Sequence, residues 1–254
     1  MCSISCIEFV AKTLSKEEVT GKRIIEVGSY DVNGSCRKLI EFWRPAQYIG
    51  VDIQKGPGVD VICNAENLVE KFGKESFDIV VSTEMLEHVR DWRKVISNIK
   101  NICKLGGRIL ITTRSYGMGG HGFPHDFWRY EIEDMKEIFS DCKTLSLERD
   151  YSGPGVFIKL KKPNEFAEKD LSNYKLFCIV SNMRVKEITN EDLHAREYNS
   201  AISHVHVNYL QRAIVELINK RAIKELIARV LTIKILAQAS HRFHLPELVL
   251  ILIS

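Results

Sequence analysis

Three stretches of this 254-residue chain carry residue types and spacings that suit chemistry. In TEMLEHV, residues 83–89, Glu84, Glu87 and His88 stand at i, i+3 and i+4, so one helical turn would put two carboxylates and an imidazole on the same side. Such a set can hold a divalent cation. The competing reading is that Glu87 and His88 anchor the turn by hydrogen bonds. In YGMGGHGFPHDFWRY, residues 116–130, four glycines (Gly117, Gly119, Gly120, Gly122) make the segment pliable. Phe123, Phe127, Trp128 and Tyr130 supply apolar surface to close over a bound molecule. His125 is a candidate general base with Asp126 or Arg129 orienting it or a substrate, and His121 is a second candidate. The competing reading is a packed loop in which Asp126 pairs with Arg129 and Trp128 seals the core. A metal site made of His121 and His125 is opposed by Pro124, which prevents a helical HxxxH arrangement.

The third stretch is RIIEVGSYDVNG, residues 23–34, where Gly28 lets the backbone turn tightly at the end of a strand. A dinucleotide fingerprint needs glycines where this chain has Tyr30 and Asn33, and Asp31 would repel a pyrophosphate. An NAD-dependent oxidoreductase is therefore disfavoured, and a ligand without phosphate and with a positive charge fits better. Asp52 follows in GVDIQ, 24 residues after Gly28, where an acid can accept hydrogen bonds from both hydroxyls of a ribose. Asn64 and Ala65 lie where they can meet the edge of an adenine, and Ser82-Thr83-Glu84 ends a further strand. Three strand ends thus converge on a nucleoside-shaped crevice.

The elements that must position these residues are legible as alternating apolar runs. Strands are expected at 23–27, 47–51, 59–63, 77–82 and 108–113, with helices at about 34–43, 66–72, 91–103 and 131–140. Gly106-Gly107 punctuates the crossover into the fifth strand, and Ser152-Gly153-Pro154-Gly155 joins a hairpin-like pair at 144–149 and 156–161. Several strands are apolar on both parities, as a sheet covered on both faces requires. The fold class expected is α/β: a Rossmann-like, doubly wound, mostly parallel seven-stranded sheet with a C-terminal helical extension. The chain is divided at 1–163, 164–199 and 200–254: a catalytic-type domain, a polar connecting segment with one possible strand at 175–180, and a basic amphipathic helical extension.

In this order and spacing, EVGSYDVNG, YIGVDIQKGPGVDV, CNAENL, FDIVVSTEMLEHV and LGGRILITT resemble the class I S-adenosylmethionine-dependent methyltransferases, especially the subgroup acting on small molecules. The resemblance covers roughly residues 20–163. It implies S-adenosyl-L-methionine as cofactor, with Glu26 and Gly28 framing its methionine end and Ser29 and Asp31 in the same first loop. Asp52 would hold the ribose, Ile53 pack on the adenine, Asn64 and Ala65 read its edge, and Ser82 and Thr83 line the floor. Glu26 has a rival reading as an internal strand-end acid capping a neighbouring helix. The first loop has fewer glycines than E-x-G-x-G-x-G, and Asn64 stands where an aspartate is common. The 83–89 stretch resembles the E-x-x-E-H site of quinone-pathway O-methyltransferases, where a metal sits near the acceptor; Glu84, Glu87 and His88 are the candidate ligands, although no metal is assigned. The 116–130 stretch is similar to the H-G-x-P-x-D-x-W-R-Y segment of the small-molecule subgroup. His125, His88 and Asp126 are the catalytic candidates, and His121, Phe123, Trp128, Arg129 and Tyr130 the substrate or lid residues. The implied reaction is direct in-line methyl transfer to a small-molecule or lipid- or sugar-linked acceptor, and a base is needed only for an acceptor such as a hydroxyl. A catalytically silent S-adenosylmethionine-binding module and an RNA methyltransferase are the alternatives.

Composition bounds the remaining readings. Hydrophobic residues at 45% and charged residues at 27% exclude a disordered chain or a membrane bundle, and the net charge of +3 does not imply nucleic acid binding. The surplus sits in residues 200–254, with seven basic residues against three acids, while the rest is close to neutral. That tail suits a membrane surface, a homodimer contact or packing on the core, and no nucleic acid partner is expected. Seven scattered cysteines read as reduced thiols of a cytoplasmic protein, peripheral at a membrane if the tail binds one. Cys2 and Cys6 begin an iron–sulfur spacing that Phe9 breaks. No signal peptide is expected, and the apolar run at 248–253 is far short of a membrane span.

Overall fold

Strands apolar on both parities send successive side chains to opposite faces, and both faces are covered here. A computed structural model of the chain describes residues 3–122 and 125–194. In chain order the elements are α1 (Ile4–Thr13), α2 (Lys16–Val19), β1 (Arg23–Val27), α3 (Arg37–Phe42), β2 (Gln47–Asp52), β3 (Val61–Ile62), α4 (Leu68–Phe72), β4 (Phe77–Thr83), α5 (Trp92–Ile102), β5 (Cys103–Arg114), β6 (Trp128–Arg129), α6 (Ile132–Ile138), β7 (Lys143–Arg149), β8 (Gly155–Lys161), β9 (Leu176–Cys178) and β10 (Met183–Val185). Seven strands form one sheet in the order β3-β2-β1-β4-β5-β8-β7. Neighbours from β3 to β5 are parallel, and β8 runs antiparallel to both β5 and β7. The expected doubly wound, mostly parallel architecture is the one observed.

On one face Ile24, Ile79, Val81 and Leu110 pack with Phe9, Val10, Val19 and Ile40 from the first three helices. On the other, Ile25, Val80, Ile109 and Ile111 pack with Leu68, Ile96, Ile99 and Met135. Helix α5 buries Trp92, Val95, Ile96, Ile99 and Ile102 at three- and four-residue steps, and Asp91 caps it by accepting the Lys94 amide at 3.1 Å. The winding reverses between β1 and β4, so the crevice at the carboxyl ends of these two strands is where a ligand site belongs.

Two features differ from the sequence reading. Strand β5 begins at Cys103, so Gly106-Gly107 lie inside it, where the pairing with β4 shifts register between Phe77 and Ile79. The segment 164–199, read as a polar connection with one possible strand at 175–180, is described as far as residue 194: that strand is present as β9, and residues 164–193 form part of the folded unit that runs to Leu193. β9 and β10 join β6 in a second, antiparallel sheet. Leu171, Leu176, Cys178 and Ile188 are buried there. Arg93 Nε donates to the Leu171 carbonyl at 2.7 Å, and Arg90 Nη2 to the Ile188 carbonyl at 2.7 Å. Among the described residues no helix is long and apolar enough to cross a membrane. The expectations for 200–254 and for Phe123 lie outside the described residues.

Candidate functional site

At the carboxyl end of β1 the chain turns through Gly28, whose φ is +81° and whose absent Cβ would stand 2.5 Å from Met85 Cγ. Only glycine satisfies both conditions. The Gly28 and Ser29 amides donate to the Val51 carbonyl at 2.9 and 3.0 Å, which locks this turn to β2. At the end of β2, Asp52 accepts the Tyr30 amide on Oδ2 at 3.3 Å and the Gln54 amide on Oδ1 at 3.0 Å. After β3, Asn64 Oδ1 accepts the Glu66 amide at 2.9 Å and starts the short 3-10 turn Ala65–Asn67. These ends surround a cavity of about 370 Å³, within the size range of small-molecule sites.

Five of the ten expected cofactor residues line that cavity: Gly28, Asp52, Ile53, Asn64 and Ala65. Glu26, Ser29, Asp31, Ser82 and Thr83 do not. Glu26 faces the opposite side of β1 from Val27, where it accepts the Tyr48 hydroxyl at 2.6 Å. Burial pushes its carboxyl up to about 7, against the pull of Tyr48 and Arg37. Ser29 is buried, and its Oγ would lie 2.7 Å from a Cβ on Gly50. Asp31 closes its own loop by accepting the Gly34 amide at 2.9 Å. Ser82 and Thr83 are buried within β4, and the floor is formed by the next two residues, Glu84 and Met85. Tyr30 and Val32 also line the cavity. The sequence signal for Tyr30 was its standing where a dinucleotide fold has glycine.

The far wall is an acid–imidazole cluster. The turn Leu86–His88 is a 3-10 turn, and Glu84 has φ +53°, so Glu84 does not share a face with Glu87 and His88. Its carboxylate is instead paired with Arg114, and Cys6 Sγ donates to it at 3.5 Å. Burial and the Glu87 carboxylate raise Glu84 to about 9 against that pairing. The expected Glu84–Glu87–His88 ligand set is thus not assembled. Glu87, His88 and His121 come together instead, with one potential donor atom from each lying within 4.8 Å of the others.

Glu87 is fully buried, and its Oε2 accepts the Thr113 hydroxyl at 2.8 Å. Burial raises its carboxyl, but His121, His88 and Thr113 outweigh burial and hold it below the ordinary range. Its Oε1 has no hydrogen-bond partner and stands 3.8 Å from His88 Nε2 and 3.9 Å from His121 Nε2. His88 Nδ1 bonds to the His125 carbonyl. His121 Nδ1 lies 3.3 Å from Asp126 Oδ2 and 3.2 Å from the Gly119 carbonyl. Asp126, and after it Glu87, push the His121 imidazole up to about 10.

Asp126 is therefore the partner of His121, not the orienter of His125. It also forms a two-bond pair with Arg129, at 2.6 Å from Nη1 to Oδ1 and 2.9 Å from Nη2 to Oδ2. Burial raises Asp126, and Arg129 with His121 overcomes it to hold the carboxyl well below its ordinary value. Arg129 further donates to the Met118 and Gly119 carbonyls at 3.2 and 3.1 Å, which shapes the glycine loop. Asp126, Trp128, Arg129 and Tyr130 are all essentially inaccessible, so they build the wall from within rather than closing over a substrate. Trp128 Nε1 donates to the Val89 carbonyl at 2.9 Å. Of the catalytic candidates, His88 and His125 reach the cavity and Asp126 does not.

The doubly wound sheet with its ligand crevice at the β1–β4 reversal defines a class I S-adenosylmethionine-dependent methyltransferase domain. The model of a methyltransferase domain family matches residues 5–139, more than half of the chain, and the chain belongs to that family. The phthiotriol/phenolphthiotriol dimycocerosates methyltransferase 1 of Mycobacterium ulcerans (strain Agy99) is 29% identical over 118 residues, 42% of this chain and 42% of the relative. The ubiquinone biosynthesis O-methyltransferase of Pseudomonas entomophila (strain L48) is 32% identical over 109 residues, 37% of this chain and 45% of the relative. The chain thus spans less than half the length of these curated relatives. The solved 1,6-didemethyltoxoflavin-N1-methyltransferase of Burkholderia thailandensis, with bound 1,6-didemethyltoxoflavin and S-adenosylhomocysteine, shares the fold at a TM-score of 0.50 and 12% identity, covering 63% of this chain and 79% of that one. The cofactor of the family is S-adenosylmethionine. The cavity suits it: an acid at the end of β2, apolar flanks at Ile53, Ala65 and Val89, and a glycine where the backbone must approach closely.

Proposed function

We propose that this chain transfers a methyl group from S-adenosylmethionine to a small-molecule acceptor held against His88 and His125. The observation that carries the reading is that Asp52, Ile53 and Ala65 share one cavity with these two histidines. Bound there, S-adenosylmethionine supplies a methyl group on a positively charged sulfur, an already activated leaving group. Asp52 accepts hydrogen bonds from the ribose hydroxyls, and its own two backbone bonds hold the carboxylate in place for them. Ile53 and Ala65 flank the base, with the Asn64 amide at its edge.

His88 gives its Nδ1 to the His125 carbonyl, so Nε2 is the nitrogen left to receive a proton from an acceptor hydroxyl. His125 is the second proton acceptor in reach of the cavity, and Asp126 with Arg129 acts as a positioning pair for the loop. The test is incubation of the full chain with methyl-labelled S-adenosylmethionine and a fractionated small-molecule extract. Label should pass to a small molecule with stoichiometric S-adenosylhomocysteine, and a His88→Ala, His125→Ala double variant should lose most of the rate. Equal turnover by the double variant, or no turnover by the native chain, would contradict the reading.

A further inference from the structure

We infer that Glu87, His88 and His121 form a binding site for one divalent ion of the zinc class, beside the cavity and distinct from the Glu84-containing set that the sequence suggested. The cluster draws on two separate places in the chain: the turn after β4 and the glycine loop after β5. Four observations carry the inference.

First, Glu87 Oε1 is buried and makes no hydrogen bond, a costly arrangement for a carboxylate unless a cation completes it. Second, both imidazole Nε2 atoms face that oxygen at 3.8 and 3.9 Å, too far for hydrogen bonds. Zinc bonds of about 2.0–2.2 Å in a tetrahedral site hold ligand atoms roughly 3.4 Å apart, so small side-chain movements close the gap.

Third, each histidine already has its other nitrogen assigned. His88 Nδ1 faces the His125 carbonyl, and His121 Nδ1 faces Asp126 Oδ2 and the Gly119 carbonyl. An acceptor behind Nδ1 keeps a proton there, so Nε2 is the ligand atom once the ion displaces to solvent the proton that a charged His121 carries on it; this is the arrangement of outer-shell partners at histidine metal sites. Asp126 is in turn fixed by Arg129, so the shell around the ligands is itself held. Fourth, the approach of the two segments is built in. Gly122 has φ +67°, and a Cβ there would stand 3.1 Å from His88 Cε1.

Two imidazoles and one carboxylate suit zinc or cobalt better than magnesium or calcium, which prefer all-oxygen shells. Three protein ligands leave a coordination position open. His88 and Gly122 line the cavity, so that position faces the acceptor side. It would take an oxygen donor of the acceptor, a hydroxyl or carboxylate, and with His88 Nε2 on the ion His125 is the group left to receive the acceptor's proton; this last step rests on the methyl-transfer reading, whereas ion binding does not.

The experiment is calorimetric titration of the chelator-stripped full chain with Zn²⁺, repeated for Glu87→Gln and His121→Asn. One ion per chain is expected. Loss of affinity in each variant should exceed the roughly 10–100-fold that removal of an outer-shell partner costs. The chain has eight histidines, so loss in these two variants is the decisive reading. Because either variant can disturb the loop, ¹⁵N spectra of the native chain provide the second measurement. Zn²⁺ should shift Nε2 of two histidines, those of His88 and His121, and leave their Nδ1 protonated. No stoichiometric binding by the native chain, native affinity in both variants, or shifts confined to other histidines would overturn the site. S-adenosylhomocysteine binding, measured on the same samples, separates the two proposals: Zn²⁺ binding without it would support this site and count against methyl transfer.

Discussion

On the β1–β3 side of the cavity the working groups sit on strand ends and are fixed within a few residues of themselves, as Asp52 is by the Tyr30 and Gln54 amides. On the β4–β6 side they are side chains from distant segments, with Glu87, Thr113, His121, Asp126 and Arg129 tied into one network. The first wall is a local consequence of strand and turn geometry. The second exists only after the glycine loop has folded onto the turn after β4. Side-chain truncations should therefore separate the two: on the first wall, away from the Gly28 turn that meets Met85 of the second, they change binding, and on the second they also change the fold.

The largest effect is expected at Arg129. Arg129→Ala removes the two-bond partner of the buried Asp126 and leaves it His121 alone of its two cations, and breaking such a buried pair costs up to roughly 3–5 kcal/mol. Urea denaturation should show the loss, and an unchanged midpoint would dissolve the contrast. Next comes Gly28→Ala, which places a Cβ 2.5 Å from Met85 Cγ at a φ of +81°. Overpacking of this kind costs about 1–3 kcal/mol. A thermal melt reads the destabilisation, and a native melting temperature would mean that Met85 yields freely.

Glu26 gives a pH-dependent effect. Its folded pKa of about 7 lies above its ordinary 4.5. Its contribution to stability is thus fully present below 4.5 and is lost as pH rises through 7. Glu26→Gln should flatten stability against pH between these values, as read from urea midpoints at each pH; an unchanged slope would remove Glu26 as its source. The smallest effect belongs to the exposed pair of Lys94 with Glu66 at 3.3 Å. Lys94→Gln should cost less than about 1 kcal/mol, and a larger shift in the urea midpoint would show that this edge of the first wall is not merely local.

The same contrast explains what the sequence made legible. Alternating apolar runs located the strands because both faces of the sheet are buried, and Gly28, Asp52 and Asn64 were readable because they end those strands. Glu26 does not line the cavity, since a residue one step from Val27 belongs to the other face, and its buried bond with Tyr48 is nearer the rival reading of an internal strand-end acid. His121 and His125 could not be told apart from sequence, because nothing periodic governs a glycine-rich loop. The choice of His121 as the partner of Asp126 follows from how Arg129 gathers the Met118 and Gly119 carbonyls. The docking of residues 164–193 was hidden for a related reason. Much of it is held by backbone carbonyls meeting Arg90 and Arg93, and carbonyls have no signature in composition.

The central claim is that the β1–β3 wall is a nucleoside site for S-adenosylmethionine. Calorimetry of S-adenosylhomocysteine with the full chain and with Asp52→Ala tests it directly. The native chain should bind one molecule, and Asp52→Ala should weaken binding by about tenfold or more, the worth of hydrogen bonds to a charged acceptor. No binding by the native chain, tighter binding of NAD, or an affinity untouched by Asp52→Ala would contradict it.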